Sequence, residues 1–291
     1  MEKRQKRLKL LPLFLLLFLI GCTPKKVENT EQNKETINTT TLTNSVNQEE
    51  PESDKYSSDL PKFAVVIDDF GNFHEGMLDS LLVRFCELPE EVAFAVLPNL
   101  NYSTRVMNYS FDRGHDILIH VPMQPHNKNV NPGEIYITPD DDQITILTTL
   151  AQFHEQLPKA IGINNHMGSR ATEDYKTMET VMSWCLSSNL FFVDSATTPK
   201  TVGYSTAKEL GVPTVKRAIF LDVPNPTSMT VDKYITKMEK YKKSNRNIVV
   251  ITHCSSKERR DNLQYFIDEC EALGYELVPI THLLEKSEKP I

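Results

Sequence analysis

The chain has 291 residues, 40% of them hydrophobic, and a formal net charge of −7. That length holds one large domain or two small ones. An acidic balance argues against a nucleic-acid partner, which needs clustered Lys and Arg, and five cysteines without CxxC spacing are present.

At the N-terminus, Lys3, Arg4, Lys6, Arg7 and Lys9 precede an eleven-residue apolar run, 10–20, too short to span a bilayer as a helix. Residues 1–21 therefore read as a secretory signal peptide. They end in Leu19-Ile20-Gly21-Cys22, which resembles a bacterial lipobox and implies cleavage before Cys22 and lipidation of its thiol. Loss of the leader removes five basic residues and one acidic one and takes the charge from −7 to −11. Residues 22–60 are rich in Asn, Thr, Glu, Gln and Ser and bury too little apolar surface to fold. They read as a disordered tether with a mean reach of about 30–35 Å. The expected location is outside the cytoplasm, anchored to a membrane through lipid on Cys22, facing the periplasm or the cell exterior.

Residues 61–286 read as one α/β domain. Apolar, Val/Ile/Phe-rich runs at 63–67, 92–97, 117–120, 161–164, 190–194, 214–217, 248–252 and 276–279 have the look of strands buried on both faces. Between them, helical spacing marks 74–87, 140–157, a stretch from Thr172, 231–243 and 260–273, and Gly211 and Gly274 sit where helix C-caps belong. The Pro- and Gly-bearing loop 122–139 is long enough to cover part of a site. An open doubly wound sheet and a closed or nearly closed β/α barrel both fit this alternation. Polar residues close six or more strand runs throughout the chain, which favours a barrel, where every strand reaches one mouth.

Those strand ends carry the chemistry. Asp68 and Asp69 follow the first run, and neighbouring carboxylates can divide cation binding from proton transfer, although Asp-Asp-Phe-Gly-Asn is also turn chemistry. His120 closes the third run, Asn164-Asn165-His166-Met167-Gly168-Ser169 the fourth, Asp194 the fifth and His253 the seventh. Asp194 or Ser195 also suits a helix cap. Met167 is expected to pack under its loop, and His115 lies at the opposite strand end. Cys254 beside His253 raises a nucleophilic cysteine, while Cys86, Cys185 and Cys270 read as small core residues or disulfide partners.

In this order and spacing, IDDFGN, HVPMQP, NNHMGSR, FFVDS, RAIFLD and ITHC resemble the divergent polysaccharide deacetylase family, a branch of the NodB-type carbohydrate esterases, over about residues 62–284. The resemblance implies a single distorted (β/α)7–8 barrel of the NodB, glycoside hydrolase–deacetylase type. It implies Asp68 as general base, Asp69 and His120 as ligands of a divalent metal, and His253 as general acid. Gln124 stands where NodB-type proteins carry a second histidine, so His166 becomes the replacement ligand, and three N/O ligands with an open position suit zinc. Asp194 is expected to orient His253, and Arg170 or Arg217 to hold Asp68 ionised. Asn165, Ser169 and Gln124 are assigned to substrate. The implied activity is metal-dependent hydrolysis of an amide or ester bond of a cell-envelope carbohydrate. The alternatives are a catalytically weak barrel serving as a glycan- or protein-binding lipoprotein, favoured by Gln124, and a peptidoglycan amidase.

Overall fold

The computed structural model describes residues 55–56, 59–73, 78–244 and 246–285. The expected signal peptide, Cys22, most of the expected tether and residues 74–77 of the first expected helix lie outside them. In chain order the elements are β1 (Lys62–Phe70), α1 (Leu78–Phe85), β2 (Ala93–Val96), α2 (Ser103–Phe111), β3 (Ile117–Met123), α3 (Gln143–Gln156), β4 (Gly162–Met167), α4 (Tyr175–Ser187), β5 (Phe191–Asp194), α5 (Gly203–Leu210), β6 (Thr214–Lys216), β7 (Ile219–Phe220), α6 (Ser228–Lys242), β8 (Ile248–His253), α7 (Lys257–Ala272) and β9 (Glu276–Leu277).

All named strands pair in parallel, in the order β6-β5-β4-β3-β2-β1-β8-β7, and β9 joins the first two residues of β1. This is a curled parallel half-barrel with helices on its outside. The ends of the path, β6 and β7, are neighbours in sequence. Arg217 still donates its backbone N–H to Asp194 of β5 at 3.0 Å, and Ala218 donates to Val249 of β8 at 2.8 Å. One broken strand thus hands its ladder from one neighbour to the other.

The period of two along each strand sorts the apolar residues into two clusters. Phe63, Val65, Ile67, Phe94, Ile119, Ile163 and Phe192 pack outward with helix residues such as Leu150, Val181 and Phe266. Ala64, Val66, Ala93, Ala95, Leu118, Phe191, Val193, Val249 and Ile251 pack inward, with no residue from α1 to α7 among them. Each large side chain fully buried in the outer layer, such as Phe63 or Phe94, is worth about 1.5–3 kcal/mol over leaving it in water. The inner layer includes small residues such as Ala64, Ala93 and Ala95. Gly162 has no side chain where the ring of its register partner Phe191 fills the space.

Helix starts are set by capping rather than by the apolar period. Asp142, Asp174, Thr227 and Ser256 each accept a backbone N–H from the first turn of α3, α4, α6 and α7. Helix α2 was absent from the sequence reading. It has no side-chain cap and buries only Ser103, Val106, Met107 and Ser110. Lys55 and Tyr56, assigned to the tether, already bond to Glu91 at 2.9 Å, and Tyr56 packs on the His282 ring. The four cysteines described are free thiols, three of them buried.

Candidate functional site

Three strands run further than their apolar stretches suggest, and the polar extensions carry the site. β1 continues to Phe70, with an irregularity between Ile67 and Phe70 and a positive φ of 69° at Asp69. This breaks the alternation that would send Asp68 and Asp69 to opposite faces, and both carboxylates converge on one imidazole. His120 Nε2 lies 3.7 Å from Asp68 Oδ2 and 3.3 Å from Asp69 Oδ1. β3 and β4 extend to Met123 and Met167, so His120 and His166 are strand residues. His166 Nδ1 sits 3.0 Å from Asp69 Oδ1 and 3.1 Å from His120 Nε2. The chain then turns through Met167 (φ 52°) and Gly168 (φ 84°), where a Cβ would approach the Cβ of Met123 to 2.9 Å.

Asn164, entirely buried, organises this cluster from behind. Its Nδ2 donates to Asp68 Oδ1 at 2.8 Å and Ser195 Oγ at 3.2 Å, and its Oδ1 accepts from His120 Nδ1 at 2.8 Å. The proton on that bond belongs to His120, because the amide nitrogen already faces a carboxylate that only accepts. In the neutral imidazole, His120 Nε2 therefore presents its lone pair toward Asp69 and His166.

On the next strand, His253 is the register partner of Asp68. Its Nδ1–H donates to Asp222, 2.9 Å from Oδ2, and its backbone N–H reaches the same oxygen at 3.1 Å. Arg259 Nε lies 2.7 Å from that oxygen, off the line of a hydrogen bond. Phe220 stacks on the imidazole at 5.7 Å and on the Arg217 guanidinium at 3.8 Å. A cavity of about 280 Å³ opens over these groups, lined by Asp68, Asp69, His120, His166, Ser195 and His253, with Asn165, Met167, Thr197, Phe220 and Val223 at its sides.

The electrostatics are those of closely packed opposite charges. Burial pushes the Asp68 carboxyl up against the pull of His120 and His253. Burial would raise Asp69 too, but His120 and His166 outweigh it and hold it well below the carboxylate range. His120 is raised, since Asp68 and Asp69 more than offset its burial. Burial likewise opposes the charge on His253, and Asp222, with Asp68 and Asp69 behind it, carries it up to about 9.

Asp69, His120 and His166 each offer one ligand atom, all within 4.8 Å of one another. Asp69 Oδ1 is buried and has no directed hydrogen bond although two imidazole nitrogens face it. One carboxylate oxygen and two imidazole nitrogens turned toward one point form a donor set that, with the imidazoles neutral, fits a divalent cation.

Several expected contacts go elsewhere. Asp194 does not touch His253. It lies on the outward phase of β5 with Phe192, and it accepts from Ala196 N–H, Thr201 Oγ1 and Tyr204 N–H at 2.8–3.0 Å, capping the start of α5. Asp222 takes the expected place, on the inward phase of the broken strand with Phe220. Neither arginine bonds Asp68 directly, and Arg217 acts on it only through its charge. Arg170 bonds Asp140 at 3.1 and 3.2 Å and also Gln124, whereas Arg217 bonds the Ser195 and Ala196 carbonyls. Gln124 and Ser169 lie outside the cavity lining, and Ser169 Oγ accepts the backbone N–H of His126 at 2.9 Å. Asn165 does line it, braced by Met167 O and Ser195 N–H. Met167 lines it as well, contrary to the packing role read from sequence. No residue of loop 124–139 lines the cavity, because Gln124 and Ile137 pin the loop's ends to each other. Cys254 is buried with its thiol pushed far up, which leaves no thiolate for attack.

The fold is that of the NodB-type deacetylase barrels. The family description "divergent polysaccharide deacetylase" matches residues 65–284, and the chain belongs to that family. It is similar to the uncharacterized protein YibQ of Escherichia coli (strain K12), 34% identical over 161 residues, 55% of this chain and 49% of that protein. It is also similar to an uncharacterized protein of Haemophilus influenzae, 37% identical over 165 residues, 56% of each chain. The chain thus spans about half the length of the curated relatives it matches. The crystal structure of the uncharacterized protein ATU2773 from Agrobacterium tumefaciens C58 covers 78% of this chain and 90% of its own, with a TM-score of 0.69 and 19% identity, a likeness of fold.

Proposed function

We propose that this chain is a metal-dependent hydrolase that removes an acyl group, as amide or ester, from a cell-envelope carbohydrate. The observation that carries this reading is the convergence of Asp69, His120 and His166 on one point, beside a carboxylate and an imidazole that are register partners. A divalent cation, with zinc the first choice for two imidazoles and a carboxylate, would supply Lewis acidity for the acyl carbonyl and for water. Asp68 takes the proton of the attacking water at Oδ2, since Asn164 holds Oδ1. Burial makes Asp68 a stronger base than a surface carboxylate. His253 gives a proton from Nε2 to the leaving amine or alkoxide, since Nδ1 is committed to Asp222. The leader and lipobox support export and a lipid anchor on Cys22.

The test is the metal content of purified 55–291 and of His166→Ala, with acetate release from acetylated envelope glycans. Stoichiometric zinc is expected in the parent and at least a tenfold weaker affinity in the variant. Asp68→Asn should abolish acetate release while retaining metal. Metal unaffected by His166→Ala overturns the ligand assignment. A second reading, a glycan-binding barrel without turnover, is favoured by one observation: Gln124, where a second histidine is usual, is bonded to Arg170 outside the cavity. No acetate from any glycan, with wild-type behaviour of Asp68→Asn in cells, decides for it.

A further inference from the structure

Asn164 is a buried polar side chain that bonds both a predicted metal ligand, His120, and the predicted base, Asp68. We infer that Asn164 is a positioning residue: its amide locks the tautomer of His120 that faces the metal and, separately, fixes the carboxylate of Asp68. The inference rests on the metal-hydrolase reading of the site for its consequences, but not for its geometry.

An asparagine in the middle of a buried strand is costly unless every polar atom is used. Here each one is. Oδ1 accepts from His120 Nδ1, and the two Nδ2 hydrogens go to Asp68 Oδ1 and Ser195 Oγ. Asn164 is the register partner of His120 across the β3–β4 ladder, which brings the amide and the ring face to face. Because Asp68 only accepts, the amide cannot flip without placing its carbonyl oxygen against a carboxylate. The orientation is therefore dictated by Asp68 and imposed on His120. A free imidazole in water prefers its proton on Nε2; this contact holds it on Nδ1 and leaves Nε2 bare toward Asp69 and His166.

Two substitutions separate the two duties. Asn164→Leu keeps the branched shape, with somewhat more bulk, and removes both. Asn164→Asp keeps an acceptor for His120 Nδ1–H but sets a carboxylate against Asp68 in place of a donor. Zinc titration by calorimetry on the folded variants, with metal-free melting temperatures confirming folding, should show affinity about 10–100-fold weaker in Asn164→Leu and close to or above the parent in Asn164→Asp. Acetate release should be lost in both. A merely structural role predicts equal zinc affinity in both variants once folding is matched, and a Leu variant within threefold of the parent overturns the proposal. A second readout needs no metal: 15N spectra of histidine-labelled, metal-free protein, at a pH where His120 is neutral, should show the proton on Nδ1 in the parent and on Nε2 in Asn164→Leu. Nε2–H in the parent also overturns it. If the parent binds no zinc but shows the Nδ1–H tautomer, the metal reading fails and the tautomer lock stands.

Discussion

His253 is the residue whose proton the structure describes most fully. Its value of about 9 lies above the ordinary 6.5 despite burial, because Asp222 bonds it and the two carboxylates of β1 face it. A raised folded-state value means that protonated His253 stabilises the metal-free fold fully below pH 6.5, and this contribution is lost as pH rises through about 9. The same proton, if donated to a leaving group, sets the alkaline limb of the rate. A cation on Asp69 weakens the anionic field, so the limb in the loaded protein falls somewhat below 9. Asp222→Asn removes the nearest anion and should move that limb a further ~1–3 pH units downward. The measurement is the pH dependence of kcat for acetate release in both proteins; a limb that stays in place shows that another group donates the proton.

At the scale of elements, the strand ends determine which residues reach the site, and the period of two decides more than the residue type does. Ala64, Val66 and Asp68 face inward together, as do Leu118 with His120, Gly162 with Asn164, and Val249 and Ile251 with His253. Phe192 faces out, and Asp194 with it. An acid at a strand end was legible in the sequence. Its phase needed the strand boundaries, and the polar extensions of β1, β3 and β4 hid those. Asp222 was legible by the same count, two residues after Phe220, had 219–220 been read as a strand. The bulge at Asp69 left no sequence signal beyond the Asp pair, since its left-handed φ carries no glycine. The same inward layer sets a test of packing. A Cβ on Gly162 would lie 2.4 Å from the Phe191 ring, which is itself buried in the barrel. Gly162→Ala should cost about 1–3 kcal/mol by overpacking, read as a lower urea midpoint. Phe191→Leu should recover part of that loss. An unchanged midpoint would show that the barrel interior is looser than drawn.

On the scale of the whole molecule, the alternation of strands and helices fitted an open sheet as well as a barrel; the polar strand ends favoured the barrel, and the six motif segments placed its family. What the alternation could not show was how the ring is completed. The sequence reads as a strand only over 214–217, and the backbone bonds of Arg217 and Ala218 reveal its continuation and the change of neighbour. The N-terminal reading belongs to this scale too. If Cys22 carries the lipid, Cys22→Ala should move the protein from the membrane fraction to the soluble one while acetate release by the extracted protein is unchanged. Continued sedimentation with membranes would point to the apolar leader as the anchor.

The register of β8 on β1 sets a spacing rule. Asp68 stands opposite His253 because six consecutive residue pairs, from Phe63 with Ile248 onward, are in step. The distance between proton acceptor and proton donor is therefore fixed by a backbone ladder, and the loops that follow the strands have no part in it. Those loops form the region where length can vary freely, and a new glycan preference can be built there by insertion without retuning the reacting pair. A single residue inserted early in β8 would be different in kind: it would present Thr252 to Asp68 in place of His253 and silence the centre while leaving the strand-end loops intact, the form that a barrel retired from catalysis to recognition would take.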